Sequence, residues 1–526
     1  MSENPQGVFI DDVEFPFDDS SSILAFTDKA LGDKIIPTLC NDDNLNPYGA
    51  CRVCSVEVQQ SEDGPKRTVA SCHTPVTPGM RIYTNSESVK KLRKNIVELV
   101  LSDHPPDCLT CEVNGNCELQ DVAASVGVRQ IRYAKGENHC DREKDLSHSY
   151  MRMDLSKCIN CSRCVRACDE VQGQFTLTMT GRGFESRITT DNDMLFGDSS
   201  CVSCGACAQT CPTSAISDVF QSKSVEADKT VRTTCSYCGV GCNLEVAVKS
   251  DEVLSIRAPQ DAVNAGHTCL KGRYAFKFYN HEDRLTSPLI RKNGELTPCS
   301  WDEALDFIKD KFESIKADHG PDAIAGISSA RCTNEENYMF QKMIRQLVGT
   351  NNIDCCARVC HSPTAWGMQQ SFGTGAGTNS TADIPLADLL LVIGANPTSA
   401  HPVTGAKIKQ QAMSGATLIV IDPVRTELAR MADHHLQLKP GTNVAVLNML
   451  QYYIVEAGLV DHPFLKDRCE GGEEFIEQVK ELDVDAMAEI SGLAKEDVNA
   501  VAIAYAHAKP ALGFHVLHVT EHSHGK

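Results

Sequence analysis

Cys158-Ile159-Asn160-Cys161-Ser162-Arg163-Cys164-Val165-Arg166-Ala167-Cys168 is answered further along the chain by Cys201-Val202-Ser203-Cys204-Gly205-Ala206-Cys207-Ala208-Gln209-Thr210-Cys211-Pro212. Both stretches have the spacing C-x2-C-x2-C-x3-C, and the second closes on Pro. Thiolates so spaced wrap iron-sulfur cores, and in the paired form the fourth Cys of each run ligates the other core. Cys158, Cys161 and Cys164 are therefore grouped with Cys211 around one 4Fe-4S cluster. Cys201, Cys204 and Cys207 are grouped with Cys168 around a second. Asp169, where a Pro would follow the first run, is a small departure.

Other cysteine groups flank this pair. Cys40, Cys51, Cys54 and Cys72 follow C-x10-C-x2-C-x17-C, with Gly49-Ala50 before the second Cys. Small residues there let a loop close round a core and aim N–H groups at its sulfurs. A 2Fe-2S cluster is the expectation; C-x2-C by itself is also a zinc half-site, and the company of the other groups favours iron. His104-x3-Cys108-x2-Cys111-x5-Cys117 supplies three thiols, and spacing leaves its fourth ligand open between His104 and Cys140. Cys235-x2-Cys238-x3-Cys242, closed by Cys269 and followed by Lys271-Gly272-Arg273, fits another 4Fe-4S site. The expected total is one 2Fe-2S and four 4Fe-4S clusters, an electron wire that needs a partner at each end.

The rest of the composition is ordinary. Of 526 residues 42% are hydrophobic and 23% charged, but 26 are Cys and the formal net charge is −20. Such a charge opposes binding to phosphate backbones or anionic membranes. Apolar runs such as Leu389 to Ile393 fall far short of the roughly 20 residues of a membrane helix. No basic residue precedes Lys29, so a secretory or twin-arginine signal is not expected and the chain is placed in the cytoplasm. Clustered Cys in a reducing compartment point to metal rather than disulfides.

Val8 to Phe17 predicts an opening strand or hairpin and Ser86 to Leu101 a helix. Beyond about residue 290 the pattern becomes α/β. Ser300-Trp301-Asp302-Glu303 is a capping-box pattern before an amphipathic run ending near Gly320. Ala323 to Ile327, Leu389 to Ile393 and Thr417 to Ile421 read as strands of a parallel sheet. The expected fold is multidomain α+β and α/β. Its divisions are a 2Fe-2S ferredoxin-like domain (1–82), a 4Fe-4S domain around Cys108, Cys111 and Cys117 (83–145), a two-cluster ferredoxin domain (146–225), a 4Fe-4S domain (226–290) and an α/β region (291–526).

The order of motifs resembles known families. Ile36-Pro37-Thr38-Leu39-Cys40, Gly49-Ala50-Cys51-Arg52, Ser102-Asp103-His104-Pro105 and Cys117-Glu118-Leu119-Gln120-Asp121 resemble the large iron-sulfur subunit of respiratory complex I. They resemble equally the opening module of the alpha subunit of cytoplasmic NAD(P)-linked formate dehydrogenases. This resemblance implies His104, not Cys140, as the fourth ligand. From Cys235 onward the chain resembles the molybdopterin oxidoreductases, in which Lys271 would stand between cluster and pterin. Ala357-Arg358-Val359-Cys360-His361-Ser362-Pro363, with Gly373-Thr374-Gly375-Ala376 and Thr378-Asn379-Ser380, resembles the formate dehydrogenase active-site segment. There Cys360 would ligate molybdenum or tungsten and His361 would assist, a soft thiolate beside a group that titrates near neutrality.

Gly394-Ala395-Asn396-Pro397 with His401-Pro402-Val403, and Asp422-Pro423-Val424-Arg425-Thr426-Glu427, resemble dinucleotide loops for the pterin. They follow predicted strands, where α/β sheets bind nucleotides. Lys439-Pro440-Gly441-Thr442-Asn443 resembles a third such loop, departing from it at Asn443. The resemblance implies a bis-molybdopterin guanine dinucleotide with Mo or W, formate and CO2 as substrate and product, a flavin- and NAD(P)-binding diaphorase subunit, and a small iron-sulfur subunit. Val519-Thr520-Glu521-His522-Ser523-His524-Gly525 looks like a mid-family motif. A further chain supplying the family's C-terminal pterin domain is therefore also expected. The competing expectation is an electron-transfer and scaffold subunit of a complex I-like or hydrogenase-like assembly.

Overall fold

The computed structural model describes residues 7–220 and 225–521, the side chains of Asn280, Leu517 and His518 aside. The chain divides into two compact units, Met1–Cys235 with Val240–Phe276, and Ser236–Gly239 with Lys277–Lys526.

The first unit opens with the predicted hairpin, Val8–Ile10 against Val13–Phe15. It is the edge of a five-stranded sheet in which Val8–Ile10 runs parallel to Arg81–Tyr83, followed by Ser55–Gln59 and Arg67–Ala70 in antiparallel pairing. Val8, Ile10, Val56 and Ile82 bury one face against Ile23 and Phe26 of the helix Ile23–Leu31. That helix is capped by Ser22, which accepts from the Ala25 N–H at 3.2 Å, and stopped by Gly32 at φ 68°, a left-handed turn that suits Gly. The predicted second helix runs Glu87–Ser102 under a Ser86 cap. Its buried Arg93 donates to the Ser55 carbonyl at 3.0 and 2.7 Å, fixing helix to sheet. The chain leaves that helix directly into His104.

The paired cysteine runs fold as two copies of one loop. Asn160 (φ 50°) and Ser162 (φ 60°) flank Cys161, and Ser203 (φ 58°) and Gly205 (φ 73°) flank Cys204. Four left-handed residues at matching positions are costly for non-glycines, and they turn N–H groups toward sulfur. Asn160 N lies 3.4 Å from Cys158 Sγ and Ser203 N lies 3.3 Å from Cys201 Sγ. Each loop then enters a short helix, Arg163–Arg166 or Ala206–Thr210. Two small antiparallel pairs frame them, Met151–Met153 with Ile216–Asp218 and Leu177–Thr180 with Arg187–Thr190. The unit ends with a three-stranded antiparallel sheet, Lys229–Thr234, Asn243–Lys249 and Glu252–Arg257, and a helix Leu270–Tyr274 that starts at Cys269.

The second unit carries the predicted parallel sheet. Its strands lie in the order His434–Leu436, Thr417–Ile421, Leu389–Ile393, Ala511–His515, all parallel. Both faces are covered, so the strands read as continuous apolar runs. Leu390, Val392, Leu418 and Val420 face one core with Ile408 of the helix Pro402–Met413. Leu389, Ile393, Ile419 and Ile421 face the other with the helices Asn443–Glu456 and Lys495–His507. Two expectations change in detail. Ser300 does cap the helix Trp301–His319, accepting from Glu303 N at 3.1 Å, but the Glu303 carboxylate pairs with Lys292 at 2.5 Å instead of returning to the cap. Of Ala323 to Ile327, Ala323 closes a 3-10 turn and the strand is Gly326–Ser328, because Pro321 sets up the turn.

Candidate functional site

In the first group, the Cys51 thiol donates to Cys40 and the Cys72 thiol to Cys54. The Cys51 hydrogen bond holds Cys40 down to about 5 and the Cys72 one holds Cys54 down to about 6, while their donors are pushed up. Backbone N–H groups of Ala50 and Cys51 point at Cys40, and that of Gly49 at Cys72. Four converging thiols with amide donors fit a 2Fe-2S core.

Burial pushes the Cys117 thiol up, with the nearby Cys111 and Cys108 adding to it, and Cys117 lies against the Pro212 carbonyl at 3.7 Å. His104 is partly buried, which favours its neutral form, and its buried Nδ1 finds no hydrogen-bond partner. A neutral imidazole with an unpartnered buried nitrogen suits a cluster ligand. Cys140 takes the Cys158 thiol as donor, which lowers it to about 7, and packs in the ferredoxin core.

Two enclosed cavities lie in the paired module. One is lined by Cys158, Cys161, Cys164 and Cys211, the other by Cys201, Cys204, Cys207 and Cys168. Each cavity thus draws one lining Cys from the other run. Burial pushes the Cys161 and Cys204 thiols up to about 12 and those of Cys164 and Cys207 still higher. Bare thiolates would be unstable there, so the cradle suits sulfurs bonded to iron. Among the described residues no three His, Cys, Asp or Glu side chains converge on a single ion, and a cluster spreads its ligands round several atoms.

In the last group, Cys235 N donates to the Cys242 carbonyl at 2.8 Å. Gly272 lies against Cys235, where an added Cβ would come 3.8 Å from its Sγ. Cys238 belongs to the segment grouped with the second unit. Lys271 is exposed on the helix that follows Cys269.

Two residues absent from the sequence reading tie the cluster loops together. Arg163, inside the first run, is buried and donates to Asp42 at 2.8 Å, Glu118 at 2.6 Å and Thr210 at 3.0 Å. Arg166 donates to the Cys40 carbonyl at 3.3 Å and lies over Tyr48. A charged residue locked inside C-x2-C was the available signal.

In the second unit, Cys360 ends the short helix Ala357–Cys360 and His361 begins the helix Ser362–Phe372. Thr520 Oγ1 donates to the Cys360 carbonyl at 3.1 Å. Partial burial and then the nearby Glu521 push the Cys360 thiol up. The motif around Val519 thus reaches the candidate metal ligand, although its His522, Ser523, His524 and Gly525 lie outside the described residues. Beside this segment is a cavity of about 360 Å³, lined by Thr364, Met368 and Phe372 of the 362–372 helix and by Leu391, Ile393 and His515 at the carboxyl ends of two parallel strands.

The nucleotide-type loops leave the same sheet. Gly394 (φ 55°) follows the 389–393 strand, with Asn396 and His401 beyond. Asp422 follows the 417–421 strand, buried, and accepts from Val424 N at 2.8 Å. Arg425 is exposed. Gly441 (φ 86°) precedes Asn443, whose Nδ2 is buried without a partner. Loops at strand carboxyl ends with an orphaned amide donor fit a bound polar group.

Comparison with known proteins agrees with this order. Residues 7–87 match the 2Fe-2S iron-sulfur cluster binding domain, 93–132 the NADH-ubiquinone oxidoreductase-G iron-sulfur binding region and 157–215 the 4Fe-4S dicluster domain. Residues 228–281 match the Molybdopterin oxidoreductase Fe4S4 domain and 284–518 the Molybdopterin oxidoreductase family. Residues 228–281 and 284–518 are thus similar to the molybdopterin oxidoreductases. Among relatives of this chain is a Staphylococcus aureus (strain MRSA252) protein named "Putative formate dehydrogenase", 33% identical over 93% of this chain and 53% of its own length. The chain thus spans about half the length of the curated relatives it matches. Among solved structures, acetylene hydratase from Pelobacter acetylenicus is 27% identical over 56% of this chain and 41% of its own, with a TM-score of 0.49. A chain of an NAD+-reducing [NiFe]-hydrogenase is 28% identical over 43% of this chain and 92% of its own, with a TM-score of 0.38. No helix among the described residues is long and apolar enough to cross a membrane.

Proposed function

We propose that this chain is the iron-sulfur and catalytic portion of a formate dehydrogenase of the molybdopterin oxidoreductase family, interconverting formate and CO2. The observation that carries the reading is the Cys360-His361 pair, set beside a groove at the carboxyl ends of the parallel strands and tied to Thr520. The relatives' name points the same way. A bis-pterin Mo or W centre, when bound, supplies the two-electron oxidation. Gly394, Asn396, His401, Asp422, Arg425, Gly441 and Asn443 would hold its dinucleotides, and Cys360 Sγ its metal. His361 would hold or move a proton at an imidazole nitrogen.

Lys271 and the Cys235, Cys238, Cys242, Cys269 cluster would take the electrons outward. The Arg273 and Tyr274 side chains lead to the Cys201 group, Cys207 feels Cys164 of the next group, and that group meets Pro212–Cys117 and Arg166–Cys40. Five clusters then deliver to a diaphorase subunit that reduces NAD or NADP, the acceptor suggested by the complex I-like module.

The test is formate-dependent dye reduction by the protein purified from its native cells, with Fe, Mo and W analysis. About 18 iron atoms per chain are expected, with Mo or W and formate activity. Full iron without Mo, W or formate activity would leave an electron-carrying subunit instead.

A further inference from the structure

We propose that Arg273 is a positioning residue for electron passage, setting the potential of the cluster held by Cys201, Cys204, Cys207 and Cys168. The inference rests on the cluster reading above and not on formate as substrate.

The helix Leu270–Tyr274 is only five residues long, yet it touches two cysteine groups. It begins at Cys269, and Arg273 N donates to the Cys269 carbonyl at 3.0 Å. Gly272 faces the Cys235 sulfur. The next side chain, Arg273, runs past the other group. A Cβ at Gly205, the residue after Cys204, would overlap Arg273 Cδ and come 2.5 Å from its Nε. Only Gly, at φ 73°, leaves room for the guanidinium stem there. The Arg273 charge is felt at the Cys204 sulfur.

That charge cannot move away. Arg273 is 2% and Asp218 3% exposed. Nη2 donates to Asp218 Oδ2 at 2.7 Å, Nε to Oδ1 at 3.3 Å, and Nη1 to Gln209 Oε1 at 2.9 Å. Tyr274 donates its hydroxyl to the same carboxylate and stacks on Tyr150, centroids 5.1 Å apart. Holding two stretches of chain together does not require a buried ion pair, since apolar packing serves as well or better. A fixed positive charge beside one cluster does have an electronic consequence. Reduction adds negative charge to the core, so the guanidinium favours the reduced form and raises the potential. An electron arriving from the Cys269 side would meet a favourable step at Cys204.

The experiment is an EPR-monitored redox titration of the full chain and its Arg273 variants. In Arg273→Gln the reduction equilibrium of one 4Fe-4S cluster should fall at least about tenfold, equivalent to 59 mV for one electron, with the others in place. Arg273→Lys should keep most of the wild-type value. Because Arg273→Gln leaves Asp218 without its cation, Arg273→Gln with Asp218→Asn guards against misfolding; it should also lower that potential, by less. Unchanged potential in either Gln variant, with all cluster signals present, overturns the role. A general broadening or loss of every signal in both Gln variants, with no shifted cluster, would make Arg273 structural and overturn it too.

Discussion

The cysteines of the first unit and Cys360 of the second live under opposite conditions. Cys164 and Cys207 are buried in an apolar core and burial drives their thiols far up. Cys360 sits at a helix end, with exposed Cys356 and Val359 beside it and Thr520 on its carbonyl. An electron relay works best when water is excluded and each sulfur is fixed by backbone, because reorganisation is then small. A thiol that is to ligate a metal open to substrate needs an approach path. On the proposed reading, the same element, sulfur, is placed by two contrary rules.

The sharpest way to break that contrast is Cys360→Ser. Formate oxidation should fall to background, while every cluster signal in EPR stays as in the wild type, because Cys360 lies outside all the cysteine loops of the first unit. A serine variant with full turnover would make Cys360 a structural residue.

Next in size is Cys211→Ala. Read by sequence neighbours, it would damage the Cys201 group; read by the cavity it lines, it removes the cluster of Cys158, Cys161 and Cys164. Iron should drop from about 18 to about 14 atoms per chain. Loss of the other cluster's EPR signal instead would reverse the exchange of fourth ligands.

His104→Cys should act without removing iron. A thiolate adds negative charge where a neutral imidazole stood, so that one cluster's potential should fall and the rest hold. A titration showing no change would return the ligand role to another residue, although Cys140 is engaged with Cys158.

How much of this was legible in the sequence differs between the units for a physical reason. Cluster ligation fixes spacing, so Cys158 to Cys168 and Cys201 to Cys211 announce both their chemistry and their pairing. The parallel strands at 389–393 and 417–421 were legible because burial on both faces makes them continuous apolar runs. The partners of the buried arginines were not, since Arg163, although its place inside C-x2-C marks it, reaches Asp42 and Glu118 from far apart in the chain and no local pattern names them. Nor was the contact of Thr520 with Cys360, which is 160 residues distant in sequence. Glu303 shows the same limit locally, because Lys292 of a neighbouring hairpin takes its carboxylate.

The smallest effect probes burial in the first unit with a group that has no electron to carry. Asp28, on the helix Ile23–Leu31, is pushed up to about 6, first by burial, against the opposing pull of Lys34. Its Oδ1 is buried without a hydrogen-bond partner. The sign follows from linkage. The folded pKa lies above the unfolded value of 3.8, so the unfolded chain gives up this proton more readily. Above about pH 6 the ionised carboxylate therefore weakens the fold, and the penalty shrinks as pH falls from 6 toward 4. Asp28→Asn keeps the shape and removes the charge. It should stabilise the domain at pH 7 by about 1 kcal/mol, discounted for the side chain's partial exposure, and give nothing below pH 4. Thermal melts of the full chain at pH 7 and pH 4 measure the difference. An equal gain at both pH values would mean that the asparagine acts through new hydrogen bonds, and that water reaches this face of the first unit more freely than its buried thiols imply.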